Sequence, residues 1–157
     1  MGERQLIDDV RGSERKQFST FQVAGRLYGI DVTRVQEVVK PMTMTRIPLA
    51  PSYIRGLINL RGQVATAVGM RELLGVVAGE QEPLMNVVCK CEGNLVSLLV
   101  DEIGDVVEVS QSQFEKSPPT IPDAVRRFMA GVYKGNGYLL SIIDIDLVTR
   151  HLNQGKS

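Results

Sequence analysis

Two stretches of the chain carry the same apolar spacing in the same order. Counting from Leu27, residues Val32, Val35, Val38 and Val39 fall at offsets of 5, 8, 11 and 12; counting from Leu95, residues Val100, Ile103, Val106 and Val107 fall at the same offsets. A second pair of series follows. From Gly56 come Gly62, Val64, Val68, Met70 and Leu73 at 6, 8, 12, 14 and 17, and from Gly131 come Gly137, Leu139, Ile143, Ile145 and Val148 at identical distances. Self-similarity of this length means that one structural unit is built twice. The second copy holds about seven extra residues around 110–122, where Pro118, Pro119 and Pro122 mark a long loop.

The unit is made of short β-branched runs broken by turn residues. Residues 18–23 and 27–32 flank Ala24-Gly25-Arg26, and 54–60 and 63–68 flank Arg61-Gly62. Residues 87–91 and 95–100 flank Gly93-Asn94, and 132–134 and 138–143 flank Gly135-Asn136-Gly137. Four hairpins predict a mainly β fold, two packed five-stranded barrels of similar build, whose shared apolar positions form the barrel interiors. One such barrel is marginal alone, so packing against the other is the expected stabiliser.

Helical signals are few. Thr33-Arg34-Val35-Gln36 fits a capping box with Thr33 at the cap, ended by Lys40-Pro41. A second short helix starts near Met70 and stops before Gly75 or Gly79. A third, C-terminal one covers 144–153, with Asp144 and Asp146 at its positive end and His151 near its other end. The halves are expected at about 17–80 and 84–153, with interleaving of their strands left open. Tails of solvated character are expected over 1–16 and 154–157.

Charge narrows the function. The 18 Lys and Arg balance 18 Asp and Glu, and aromatic residues are 5% of the chain, so the basic tracks and stacking rings of a nucleic-acid-binding barrel, the rival from another class, are missing. The longest apolar runs, such as 73–78, are a third of a membrane span, and Met1-Gly2-Glu3-Arg4 lacks a signal-peptide core; a cytoplasmic chain with no membrane insertion is expected. A single histidine, His151, leaves little material for a catalytic triad, and Cys89 and Cys91 alone cannot supply a structural zinc site. Spaced i, i+2 on a strand, the two thiols share one face and read as core residues. The chain is expected to be neither an enzyme nor a holder of metal or cofactor.

The segment Arg55-Gly56-Leu57-Ile58-Asn59-Leu60-Arg61-Gly62 stands apart from this background. Gly56 and Gly62, like Gly131 and Gly137 in the second copy, are structural glycines that permit close approach or a left-handed turn. Arg55 and Arg61, six residues apart, share one face of a regular strand. A strand follows the glycines rather than a helix, which excludes a phosphate-binding loop.

This octapeptide resembles the R-G-x-I-N-L-R-G signature of CheW-like proteins, the chemotaxis coupling adaptors. Residues 21–32 are similar to the family's opening hairpin, Val35-Gln36-Glu37-Val38 to its helical turn, and Ile47-Pro48-Leu49-Ala50-Pro51 to the lead-in of the arginine hairpin. Residues 100–106 and 139–146 resemble its second half, so that the likeness covers about 17–153. The resemblance implies barrels of the SH3 kind and a non-catalytic scaffold. It would join the cytoplasmic tips of methyl-accepting chemoreceptors to the regulatory domain of a CheA-type histidine kinase, with other CheW-like proteins as a further partner class. By the same resemblance Glu37, Val38, Arg55, Arg61 and Gly62 meet receptor helices, and Val32 and Val35 lie near the kinase edge. The repeat instead gives both Val32 and Val35 the places of barrel interior; Val32 is read as core and Val35 is left open. The chain departs from the family after the arginine hairpin: Ala67-Val68-Gly69 replaces its Pro-Val-x-Asp, and Gly69 stands opposite Asp144 in the repeat. A paralogue serving a divergent, pilus-type array is the alternative that these departures admit.

Overall fold

The computed structural model describes residues 14–76, 84–116 and 120–154. Its strands, in chain order, are β1 (Arg15–Val23), β2 (Arg26–Asp31), β3 (Val35–Val39), β4 (Ile54–Leu60), β5 (Gln63–Gly69), β6 (Met85–Cys91), β7 (Asn94–Val100), β8 (Glu102–Ser110), β9 (Phe114–Glu115), β10 (Met129–Gly135) and β11 (Tyr138–Ile143). The helices are α1 (Met70–Leu73), α2 (Asp123–Arg126) and α3 (Ile145–Gln154), joined by 3-10 turns at Val32–Arg34 and Gln111–Gln113.

The four hairpins are β1–β2, β4–β5, β6–β7 and β10–β11. Three of them turn with positive φ at both central residues, at Ala24-Gly25, Arg61-Gly62 and Glu92-Gly93, the geometry whose twist matches antiparallel strands. The third turn is therefore Glu92-Gly93, one residue earlier than the expected Gly93-Asn94; Asn94 already opens β7.

Long-range pairing interleaves the two copies. One sheet has the order β8-β1-β2-β11-β10-β9 and the other β3-β6-β7-β5-β4. Each thus takes the opening hairpin of one copy and the closing hairpin of the other, joined by a parallel pair: β2 with β11, and β5 with β7. The first sheet has six strands rather than five because β9 adds to β10, with Glu115 opposite Val132. In the second sheet the matching contact shrinks to a bridge between Thr45 and Leu57, the residue that occupies the place of Val132 in the repeat. Gly56 and Gly131 are needed at these contacts. Their φ values are 151° and 156°, and a Cβ at either would lie 2.7 Å from a backbone oxygen, that of Thr45 or Glu115.

Four expectations are corrected. The cap of the first 3-10 turn is Asp31, whose Oδ1 accepts from Thr33 N at 2.9 Å and Thr33 Oγ1 at 2.8 Å; Val35 onward is strand, since its edge pairs with β6. Arg15 and Lys16, placed in the N-terminal tail, belong to β1 and pair with Ser110 and Val109 of β8, while residues 1–13 lie outside the described residues. At the other end Gln154 still belongs to α3, and the rest of that expected tail lies outside the described residues. The shared apolar positions are not all interior. Val38 and Val106 are both exposed, as are Val64 and Leu139, because β3 and β8 are edge strands and the hairpin ends extend past the core.

The largest hydrophobic cluster draws on both sheets and on α3, with Phe21, Tyr28, Val68, Leu98, Ile143 and Val148 among its members. Smaller clusters lie within each sheet, around Phe18 and Leu140 in one and Ile58 and Ala65 in the other. α1 stops at Gly75, which has φ +70°, and α3 is capped by Asp144, whose Oδ1 accepts from Asp146 N at 2.9 Å.

Two ion pairs clasp the sheets to the helices. Arg34 grips Asp146 of α3 in a two-point contact, at 3.1 and 2.7 Å, and its Nε donates to Lys90 O at 3.2 Å. In the other half Arg71 of α1 grips Asp101, at 3.0 and 2.7 Å, and Asp101 N donates to Gln22 O at 3.0 Å. Arg71 and Asp146 hold matching places in the repeat and their partners Asp101 and Arg34 lie one place out of register, so a comparable clasp is built twice with the charges exchanged.

Candidate functional site

Arg61 gets its position from the turn. With Arg61 at φ 53° and Gly62 at φ 87°, the chain reverses in two residues, and Gly62 N donates to the Asn59 side chain at 2.9 Å. Asn59 is thus the brace of the turn, a role that sequence reasoning did not assign to it. The Arg61 guanidinium, 71% exposed, donates from Nη2 to Oε1 of Glu37 on β3. β3 and β4 are the two terminal strands of their sheet and share no ladder, so this pair spans the seam between them. The structure therefore brings Glu37, Arg61 and Gly62 together.

Val38 is exposed but lies on the face of β3 opposite Glu37. Val64, opposite Asn59 on β5, is 60% exposed and adds an apolar surface to the Arg61 hairpin. It went unnoticed because the repeat marked it as interior. Arg55 faces outward like Arg61, yet it sits at the far end of β4, about 20 Å away at strand rise, and its Nη1 donates to Glu72 at 3.0 Å. Val35 packs against the main core, whereas Val32 is half-buried on the 3-10 turn and not in the barrel interior. That turn leaves the sheet, so the period that marked Val32 as inward does not continue through it. Gly62 and Gly137 have room for a side chain and owe their identity to φ values of 87° and 80°.

The groups with chemical potential lie elsewhere and are quenched. Burial pushes the Cys89 thiol up to about 12, and burial likewise raises Cys91, whose Sγ donates to Asp146 Oδ1 at 3.1 Å. Raised thiols are poor nucleophiles at neutral pH. His151 packs its ring against Tyr53 and Phe128, with centroids 5.3 and 5.1 Å away. Among the described residues no three His, Cys, Asp or Glu side chains are grouped to hold a metal ion. The arrangement offers charged and apolar surface on rigid turns, which is equipment for docking.

Residues 17–153 match the family model described as CheW-like domain. The chain is 32% identical to "Chemotaxis protein CheW" of Bacillus subtilis (strain 168), with 82% of this chain and 83% of that protein aligned. It is 30% identical to "Chemotaxis protein CheW" of Treponema pallidum (strain Nichols), over 84% of this chain and 81% of the other. Among solved structures, the scaffolding protein TtCheW from Thermoanaerobacter tengcongensis superposes with a TM-score of 0.75 at 29% identity, covering 84% of this chain and 86% of that one. With its duplicated, interleaved barrels and its Asn-Leu-Arg-Gly turn, the chain belongs to the CheW-like family, the scaffolding adaptors of chemotaxis.

Proposed function

We propose that this scaffold couples chemoreceptor tips to a CheA-type histidine kinase and catalyses no reaction itself. The observation that carries the reading is Arg61, held out on a two-residue turn and paired across the seam with Glu37, beside exposed Val64, while exposed Val38 lies on the other face of β3. Receptor tips are helical hairpins rich in Glu and apolar residues. A carboxylate on such a helix competes with Glu37 for the guanidinium, and Val64 takes the apolar stripe. Val32 on the 3-10 turn and Val35 at the start of β3, both half-buried, form the edge proposed for the kinase domain. Holding two partners on one rigid body raises their effective concentration for each other. Recruitment to receptor arrays then brings the protein to the membrane; no helix among the described residues is long and apolar enough to cross it.

The test is co-sedimentation with receptor cytoplasmic fragments. Arg61→Glu loses at least tenfold in receptor affinity and lowers Tm by only about 2–4 °C, the effect of about 1 kcal/mol from an exposed ion pair in a domain of this size. The exchange Glu37→Arg with Arg61→Glu restores the pair and the Tm but not the binding. Receptor binding at wild-type strength by both variants removes Arg61 from the site.

A further inference from the structure

Gly69, one of the departures from the family pattern, makes room for the Glu72 side chain in a groove at the end of β4 far from Arg61. A Cβ on Gly69 would overlap the Glu72 carboxylate and lie 3.2 Å from Arg55 Cγ. With glycine there, Glu72 folds in beneath β4. Its Oε1 accepts from Arg55, but its buried Oε2 has no hydrogen-bond partner among the described residues. A buried carboxylate oxygen without a donor is a standing cost to the fold at this place.

The same groove, of about 1020 Å³, is walled by the loop that leads into β4, with Met44, Arg46, Ile47 and Leu49 on one side and Arg55 and Glu72 on the other. Leu49 is the anomaly. It is 104% exposed, belongs to no hydrophobic cluster, and has φ +63° between Pro48 and Ala50-Pro51. Left-handed backbone presses a leucine Cβ against its carbonyl, where Asn or Gly fits more easily. Leucine at this position serves neither the fold nor solvation, and a strained, exposed apolar side chain on a rigid loop marks a contact site. Arg46 is exposed and has no ion-pair partner among the described residues, which leaves a free positive charge at the rim.

We propose that this groove is a second docking point for an acidic helix of the receptor tip, resting on the receptor-coupling reading above. An apolar side chain of the helix covers Leu49 and Ile47, and a carboxylate meets Arg46. The separation of about 20 Å from Arg61 corresponds to about thirteen residues of α-helix, so that one receptor helix reaches both points. Gly69 and Leu49 then tune which receptor this chain accepts.

The experiment is titration of a purified receptor cytoplasmic fragment against wild type, Leu49→Asn, Arg46→Glu and Arg61→Glu, with Tm measured for each. Leu49→Asn raises Tm, because asparagine tolerates the left-handed backbone, yet weakens receptor binding at least fivefold; Arg46→Glu weakens it similarly at unchanged Tm. If wild type binds, Arg61→Glu does not, and the two groove variants bind like wild type, this inference falls while the coupling reading stands. A lower Tm for Leu49→Asn makes Leu49 a brace of the loop and also overturns it. No binding by wild type removes both.

Discussion

Asp146 shows how much one side chain can organise. Its carboxylate takes two hydrogen bonds from Arg34 and one from the Cys91 thiol, and these, the arginine first, hold its pKa at about 2. Asp101 is held low by Arg71 first and then by the Ala24 backbone N–H at 2.8 Å. A carboxylate lowered in the folded state adds stability that is complete above its unfolded pKa and is lost as pH falls toward the folded value. The clasp at Asp146 therefore contributes fully above about pH 4 and fades between there and about pH 2. Asp146→Asn lowers Tm at pH 7 by about 2–4 °C, as a half-exposed pair worth about 1 kcal/mol should. Between pH 4 and 2 its Tm falls less steeply than that of wild type. Thermal melts across that range check both effects; parallel curves would mean that the Asp146 carboxylate is not what titrates.

At the scale of elements, the glycines sort into two kinds that composition cannot separate. Gly56 and Gly131 sit at strand irregularities, where β4 shifts register against β5 and β10 against β11, and a neighbouring backbone oxygen occupies the space of a side chain. Gly62 and Gly137 close hairpins with empty space around them. Alanine at 62 or 137 meets backbone strain alone, about 1 kcal/mol. Alanine at 131 meets Phe114 and Glu115 O as well, at 2.5 and 2.7 Å, and forces β9 off the sheet. Gly131→Ala is expected to lower Tm by at least twice as much as Gly137→Ala in paired melts. Equal losses would show that the close approach of β9 is dispensable.

For the whole molecule, interleaving decides cooperativity. β1 and β2 have their sheet neighbours in β8 and β11, and β6 and β7 theirs in β3 and β5. A polypeptide of residues 14–76 lacks partners for both edges of its opening hairpin, and one of residues 84–154 lacks them for β6 and β7. Each half alone is expected to show no cooperative melting transition, since an isolated hairpin is marginal in water; mixed in equal amounts, they regain β-sheet circular dichroism and a shared transition. A cooperative melt from either half alone would contradict the interleaved order. The exchange also explains why the main core joins both sheets, and it gives the two proposed docking points one rigid base.

The local periods of this chain specified its local structure. The four hairpins, the cap of α3 and the Arg55–Gly62 signature all depend on residues within a few positions of one another, and alternation and turn chemistry report such neighbourhoods directly. Tertiary structure decided the rest. That Tyr28 pairs with Ser141, that Val38 and Val106 face water, and that Glu37 reaches Arg61 depend on which strands lie together and which end at a sheet edge. Hydrophobic spacing is the same for an edge strand and a central one, so only the assembled sheet distinguishes a buried valine from one left outside for a partner.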